Sequence, residues 1–323
     1  MEPAVMSFIR TVLGDISPDN LGVCYAHEHI IIDPSYTTQL FPDFLLDDVQ
    51  LAIQELRQFH TDGGRAMVDS MPCDSGRNVL KLAEISRETC VHILCPTGYH
   101  LKKYYPTGSW GTRLSATELA KVFIADIEDG IDRHDYGGPI CERTQHKAGL
   151  IKIASGLNRL DDHELRLFEA AAITHLQTGA PILTHTEKGT AALEQIDVLG
   201  RHGVKPDRVV LSHTDRKPDP AYHKEILSTG VFVEYDAHFR WKDCDGNPTL
   251  DLVLSMAEAG HIDQIMLGMD AARRSYWKAY GGSPGLSYLL TEFSSNLREA
   301  GLSGHDLNRI FIENPARAYQ FQA

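Results

Sequence analysis

Short apolar, β-branched runs recur along this chain, and longer stretches of helical periodicity separate them. The runs predict eight strands: Val23 to Ile30, Gly64 to Ser70, Val91 to Gly98, Gly149 to Ser155, Ala180 to Thr186, Arg208 to Thr214, Val231 to Ala237 and Gln264 to Asp270. Between them, stretches such as LLDDVQLAIQELRQFH, ATELAKVFIADIEDGI, DDHELRLFEAAAITHLQ and KGTAALEQIDVLGRHG bring an apolar residue round every three or four positions, the mark of an amphipathic helix. Most of these open on Asp, Ser, Asn or Thr and close near Gly, the residues that satisfy free backbone groups at helix ends. Eight such alternations place the chain in the α/β class and predict a closed (β/α)8 (TIM) barrel rather than an open doubly wound sheet. The opening TVLGDISPDNLG, with Pro18-Asp19-Asn20 between two short apolar runs, predicts a short N-terminal hairpin closing the bottom of the barrel.

No Pro/Gly/Ser linker, low-complexity tract or repeat beyond the βα alternation interrupts the pattern, so residues 1–323 are expected to form one barrel domain. Two long irregular stretches, HLKKYYPTGSWGTR after the third strand and HFRWKDCDGNP after the seventh, leave the C-terminal ends of their strands. In a barrel that rim is the active-site face.

Composition narrows the partners. A formal charge of −13 disfavours a nucleic acid or any other extended polyanion, though not a small anion in a locally basic pocket. No apolar run is long enough to cross a bilayer and no secretory signal pattern is present, so a soluble, cytoplasmic protein without a membrane partner is expected. Six cysteines without a CxxC pair (Cys24, Cys73, Cys90, Cys95, Cys141 and Cys244) fit a reducing compartment and argue against thiol catalysis.

Chemistry enters at the strand ends. His27 and His29, in CYAHEHI, lie two apart on the first strand, a spacing that puts two imidazoles on one face and lets them share a metal ion. Among 16 histidines such a pair also arises by chance, but Lys152, His185, His213 and Asp270 again sit at or near the C-terminal ends of apolar runs. Nitrogen and carboxylate donors converging on a barrel mouth suit Zn2+ and other borderline divalent ions. Lys152 has two readings: an anchoring cation at a strand end, or an amine that reacts with CO2 to give a carbamate able to bridge two metals. His100 and His238 follow strands and are placed to line a pocket, whereas His92 reads as core and His163 and His175 as surface or packing residues of a helix. Asp69 and Asp236 read equally as carboxylates that orient metal-bound imidazoles and as structural hydrogen-bond partners.

HEH on the first strand, the lysine of GLIKIASG, THTEKGT, SHTDR, the closing GMD and the tail ENPAR together resemble the phosphotriesterase-homology family of the amidohydrolase superfamily over nearly the whole chain. The resemblance implies a binuclear metal-dependent hydrolase. His27, His29 and Asp270 would hold a buried metal, His185 and His213 a more exposed one, and Lys152, as N6-carboxylysine, would bridge the two metals, most simply Zn2+. It further implies attack by a metal-bridging hydroxide, with Asp270 taking its proton and delivering it to the leaving oxygen. Tyr99 occupies a position where lactonase-like relatives keep a tyrosine near the metal pair; it either donates a hydrogen bond there or packs within its loop.

DAARRSYWKAYGG, directly after Asp270, resembles a subgroup acting on phosphorylated sugar lactones, and the implied phosphate anchors are Lys242, Arg273 and Tyr276. Arginine's planar fork matches phosphate oxygens, and loops after the last two barrel strands commonly bind phosphate. The leading expectation is therefore a lactonase opening a phosphorylated sugar lactone, with the resemblance also tilting toward a homodimer. Two other readings stand beside it: a lactonase or phosphotriesterase for uncharged hydrophobic substrates, and a non-catalytic ligand-binding barrel.

Overall fold

The computed structural model describes residues 7–241 and 245–322. It opens with an antiparallel hairpin, β1 (Ile9–Thr11) and β2 (Gly14–Ile16). The hairpin turns at Val12-Leu13 and not at Pro18-Asp19-Asn20, which form a short 3-10 turn of their own. Gly14, at φ +125°, supplies the backbone geometry that a proline cannot. The Val12 N–H donates to the Ile93 carbonyl at 2.8 Å, and Ile9 and Leu21 join the apolar cluster inside the barrel, so the hairpin does close the floor.

The barrel strands follow as β3 (Cys24–Glu28), β4 (Ala66–Asp69), β5 (His92–Leu94), β6 (Pro96–Gly98), β7 (Leu150–Ser155), β8 (Ile182–Thr186), β9 (Val209–Ser212), β10 (Phe232–Tyr235) and β11 (Ile265–Leu267). All pair in parallel with their neighbours. The run from Val91 to Gly98 is broken in two: β5 pairs with β4 and β6 with β7, because Pro96 has no N–H to carry the ladder through. The seam between β11 and β3 is closed by the His27 carbonyl, which accepts from Met269 N at 3.3 Å and Asp270 N at 3.1 Å. Glu28 reinforces it, its buried carboxylate accepting from Met269 N at 2.7 Å and Ala271 N at 3.2 Å. Strand order, direction and connecting helices are those of a (β/α)8 barrel.

Side-chain alternation divides the core. Inward residues such as Ala26, Val68, Leu150, Leu183, Val210 and Met266 pack inside the barrel, while outward ones such as Tyr25, Ile151 and Val233 pack against the helices. The helices sit where the apolar periodicity puts them: Val49–Thr61 capped by Asp48, Ala116–Glu128 capped by Ser115, and Asp162–Thr178 capped by Asp161 and ended by left-handed Gly179. The fourth, Ala192–Arg201, starts later than its pattern, since Lys188 and Ala191 adopt left-handed backbone in the turn before it. No helix among the described residues is long and apolar enough to cross a membrane.

Gly98 ties the fold to the site. It pairs in register with Lys152 at φ +113°, and a Cβ there would lie 1.9 Å from the Lys152 carbonyl oxygen. Gly98→Ala should therefore destabilise the protein by about 3 kcal/mol, combining an unfavourable backbone region with a clash against rigid main chain. A thermal melt should fall by roughly 6 °C or more; a change under about 2 °C would show that β6 can shift without cost.

Candidate metal centre

The strand ends place the polar groups. Inward alternation carries Lys152 on β7 and His185 on β8 to the rim, above Leu150 and Leu183. His27 needs more than alternation: the register of β3 shifts between Tyr25 and Glu28, so that His27 turns inward directly after inward-facing Ala26. His213 follows inward Ser212 through left-handed backbone at φ +66°, and Asp270 is likewise left-handed at φ +47°. Non-glycine residues held in this region cluster where a side chain must be aimed for function.

These groups converge. The rings of His27 and His213 are 4.6 Å apart, as are those of His185 and His213, and His29 lies 5.5 Å from His27. Asp270 Oδ1 faces His29 Nε2 at 3.1 Å and His27 Nε2 at 3.7 Å. Metal-ligating atoms of His27, His213 and Asp270 all lie within 4.8 Å of one another, and those of His213, Glu234 and Asp236 form a second such group. The centre floors a cleft of about 230 Å3, which Lys152, His29 and His185 also line.

Burial sets the charge states. It is the main cause holding His27 well below the usual histidine range, His185 at about 4 and His213 at about 3, so at neutral pH these imidazoles offer lone pairs rather than charge. Burial also lowers the Lys152 amine to about 7, against the pull of Asp270 and Glu234. Lys152 makes no ion pair among the described residues, and its Nζ faces the Nδ1 of His27 at 3.5 Å. Burial alone would raise Asp270; the hydrogen bond from His29, with His213, Arg216 and Arg240, outweighs it and keeps the carboxylate ionised. Neutral imidazoles, an anionic carboxylate and a buried amine without a counter-ion fit a set of divalent-metal ligands.

Carboxylates outside this set orient it. Asp236 accepts from the Nδ1 of His213, and Glu187 meets the Nε2 of His185 at 3.1 Å while receiving Lys103 at 2.9 Å. Asp69 is structural instead, its Oδ1 accepting from the Ile30 N–H at 3.0 Å. Arg216 donates to Asp236 at 2.9 Å and to Asp270 Oδ2 at 2.6 Å, and Arg240 reaches the same Oδ2 at 3.2 Å. Arg216 and Glu187 stand inside the SHTDR and THTEKGT segments, yet spacing alone gives neither of them a task.

Not every expected residue reaches the cleft. Tyr99 packs within its loop, stacked 3.7 Å from Tyr105 with its hydroxyl 2.6 Å from Ser109 Oγ; Tyr104 and His100 line the cleft in its place. His238 is turned to the Gly268 carbonyl at 3.0 Å and stacks on Phe293. Arg273 and Tyr276 do line the cleft, with Arg273 4.6 Å above the Phe44 ring. Arg274 turns away to Asp47 at 2.9 Å. Lys242 lies outside the described residues.

Known proteins share this fold. A phospho-furanose lactonase from Mycoplasmopsis synoviae is 34% identical, over 97% of this chain and 92% of its own. The crystal structure of an amidohydrolase from Mycoplasma synoviae superposes with a TM-score of 0.95 at 34% identity, covering 98% of this chain and 93% of that one. A phosphotriesterase homology protein from Escherichia coli, crystallised with phosphate in its active site, gives a TM-score of 0.85 at 32% identity, over 94% of this chain and all of the other. The phosphotriesterase family profile matches residues 7–319, and the chain belongs to that family.

Proposed function

We propose that this hydrolase is a binuclear metal-dependent lactonase whose substrate is a phosphorylated sugar lactone. The observation that carries the reading is one cleft in which the metal-ligand set adjoins a wall formed by Arg273 and Tyr276. The names of the phospho-furanose lactonase relatives and the phosphate held by the Escherichia coli structure support it. His27, His29 and Asp270 would hold one ion, His185 and His213 the other, with Lys152 between them. Bound there, two divalent ions would supply a water of lowered pKa and polarise the lactone carbonyl.

The chain's own residues do the rest. An amine near pKa 7 keeps a substantial uncharged fraction under neutral conditions, so Lys152 can add to CO2, releasing a proton and gaining the anionic oxygens that a bridge requires. Asp270 Oδ1 points to the His27/His29 side, where it would face the ion, and Arg216 and Arg240 keep the carboxylate ionised, so that an anionic group stands beside the reacting centre to take a proton and hand it to the ring oxygen as the lactone opens. Arg273, half-buried and stacked on Phe44, would grip a terminal phosphate remote from the reacting carbonyl. Ile32, Phe44 and Met71 make part of the cleft apolar and favour the second reading, an uncharged lactone or phosphotriester.

Purified protein supplied with zinc and bicarbonate should contain about two metal ions per chain, and chelation should remove activity with the metal. Lys152→Ala should lose both together, with partial recovery when short carboxylic acids are added. Full activity of the metal-free protein would defeat the reading, and two tightly held ions in Lys152→Ala without added acid would defeat the carbamate.

A panel of sugar lactones with and without a terminal phosphate, followed by proton release, tests the substrate. Arg273→Ala should lower kcat/KM about 10- to 150-fold on the phosphorylated lactone, the equivalent of roughly 1.5 to 3 kcal/mol for a charge-assisted hydrogen bond. The unphosphorylated analogue, lacking that contact already, should change little. Equal losses on both, or a wild-type preference for the unphosphorylated lactone, would favour the apolar-substrate reading.

A further inference from the structure

One buried acid takes no part in the chemistry above. Glu234 lies on β10, facing inward directly beneath the rim, fully buried. Among the described residues neither of its carboxylate oxygens has a hydrogen-bond partner. Polar groups of the centre stand beside it: Oε2 is 3.7 Å from the Nδ1 of His27, and one of its oxygens shares a 4.8 Å cluster with ligand atoms of His213 and Asp236. The backbone leaves it this room, since a Cβ on Gly268 would stand 2.7 Å from Glu234 Oε1.

The other imidazoles show what such an acid is for. A histidine that binds a metal through one ring nitrogen gives its other N–H to an acceptor, which fixes tautomer and ring plane. His213 has Asp236 on its Nδ1, and His185 has Glu187 on its Nε2. His27 presents Nε2 to Asp270, so its Nδ1 edge needs the acceptor. On that edge stand the Ser212 hydroxyl at 2.8 Å, the Lys152 amine at 3.5 Å and Glu234. Lys152 is a donor, so the Ser212 hydroxyl and the Glu234 carboxyl oxygens are the acceptors that the described residues offer there.

We propose that Glu234 is a positioning residue for the buried metal subsite, acting with Ser212 on the Nδ1 edge of His27 to hold that ring toward the ion. This rests on the metal-centre reading given above. It carries a sign that a structural role would not produce: without metal, a buried carboxyl group whose oxygens have no hydrogen-bond partner among the described residues is a net cost to the fold. With metal, the same group strengthens a ligand. Removing it should therefore move apo stability and metal affinity in opposite directions.

The test compares wild type with Glu234→Leu and Glu234→Gln, measuring zinc affinity by competition with a chromophoric chelator and the melting temperature of the metal-free proteins. Glu234→Leu should weaken the tighter-held ion about 10- to 100-fold, as loss of an orienting partner does, while its apo melting temperature rises by about 2 °C or more. Glu234→Gln, which keeps one acceptor oxygen, should lie between wild type and Leu in affinity. If Glu234→Leu fails to fold, the glutamine variant decides: weakened zinc binding at a native or raised apo melting temperature supports the proposal. Wild-type zinc affinity in either folded variant overturns it, as does a fall in apo stability that parallels the loss of affinity. A wild-type protein that binds no zinc would instead remove the metal-centre reading itself, and the two failures are thereby distinct.

Discussion

Asp270 is the point on which the rim of the barrel is tied. One of its oxygens faces His27 and His29 on β3 and the turn after it, the other receives Arg216 and Arg240 from the loops after β9 and β10, and its own N–H bonds the His27 carbonyl to close the seam between the last strand and the first. A carboxylate so placed must stay ionised to satisfy both sides. Burial works against that, and the guanidiniums supply the charge that keeps it anionic. Closure of the barrel and orientation of the histidine pair therefore share one residue.

The layering beneath it explains how so much polarity is tolerated in a core. Below the rim the barrel is filled by small and branched apolar residues, Ala26, Val68, Leu183 and Val210 among them, and these exclude water from the floor of the site. A dry floor makes ionised histidines unfavourable and brings the Lys152 amine near neutrality, so the apolar layer prepares the ligands electrostatically as well as supporting them. The left-handed turns at His213 and Asp270 and the register shift in β3 are the local distortions by which strands of ordinary alternation deliver additional inward residues at one level.

Much of this was legible in the residues. Apolar runs ending in His, Lys or Asp mark both the strands and the active rim, since in a barrel the strand ends form the mouth, and the structure brings all six candidate ligands to one cleft. What periodicity does not carry is the direction of a loop side chain. Tyr99 and Tyr104 stand five positions apart in one irregular stretch; stacking on Tyr105 and a hydrogen bond to Ser109 draw the first inward and leave the second at the cleft. Arg273 and Arg274 are neighbours, and Asp47, the Leu45 carbonyl and the Tyr280 ring draw the second of them away. The hairpin was expected where a proline suggested a turn, but Gly14 provides the geometry nearer the start. Arg216 and Glu187 were missed for a related reason: their partners are 20 or more residues away or depend on which ring edge faces them.

The charge distribution gives the cleft its polarity. The chain as a whole carries −13, yet Arg216, Arg240 and Arg273 all line the cleft, and the first two are matched at close range by Asp236 and Asp270. Among the described residues Arg273 has Asp43, at 3.7 Å, and the face of Phe44 beneath it. A guanidinium stacked on an aromatic ring with a distant carboxylate is already oriented and keeps donors free, so a small anion can be bound without first breaking a strong ion pair. An acidic surface around a locally cationic cleft repels large polyanions and leaves the attraction to act over the short range in which a monophosphate fits. That combination is what a substrate with one terminal phosphate and one hydrolysable ring would require: the anion held at the wall, the carbonyl carried to the floor.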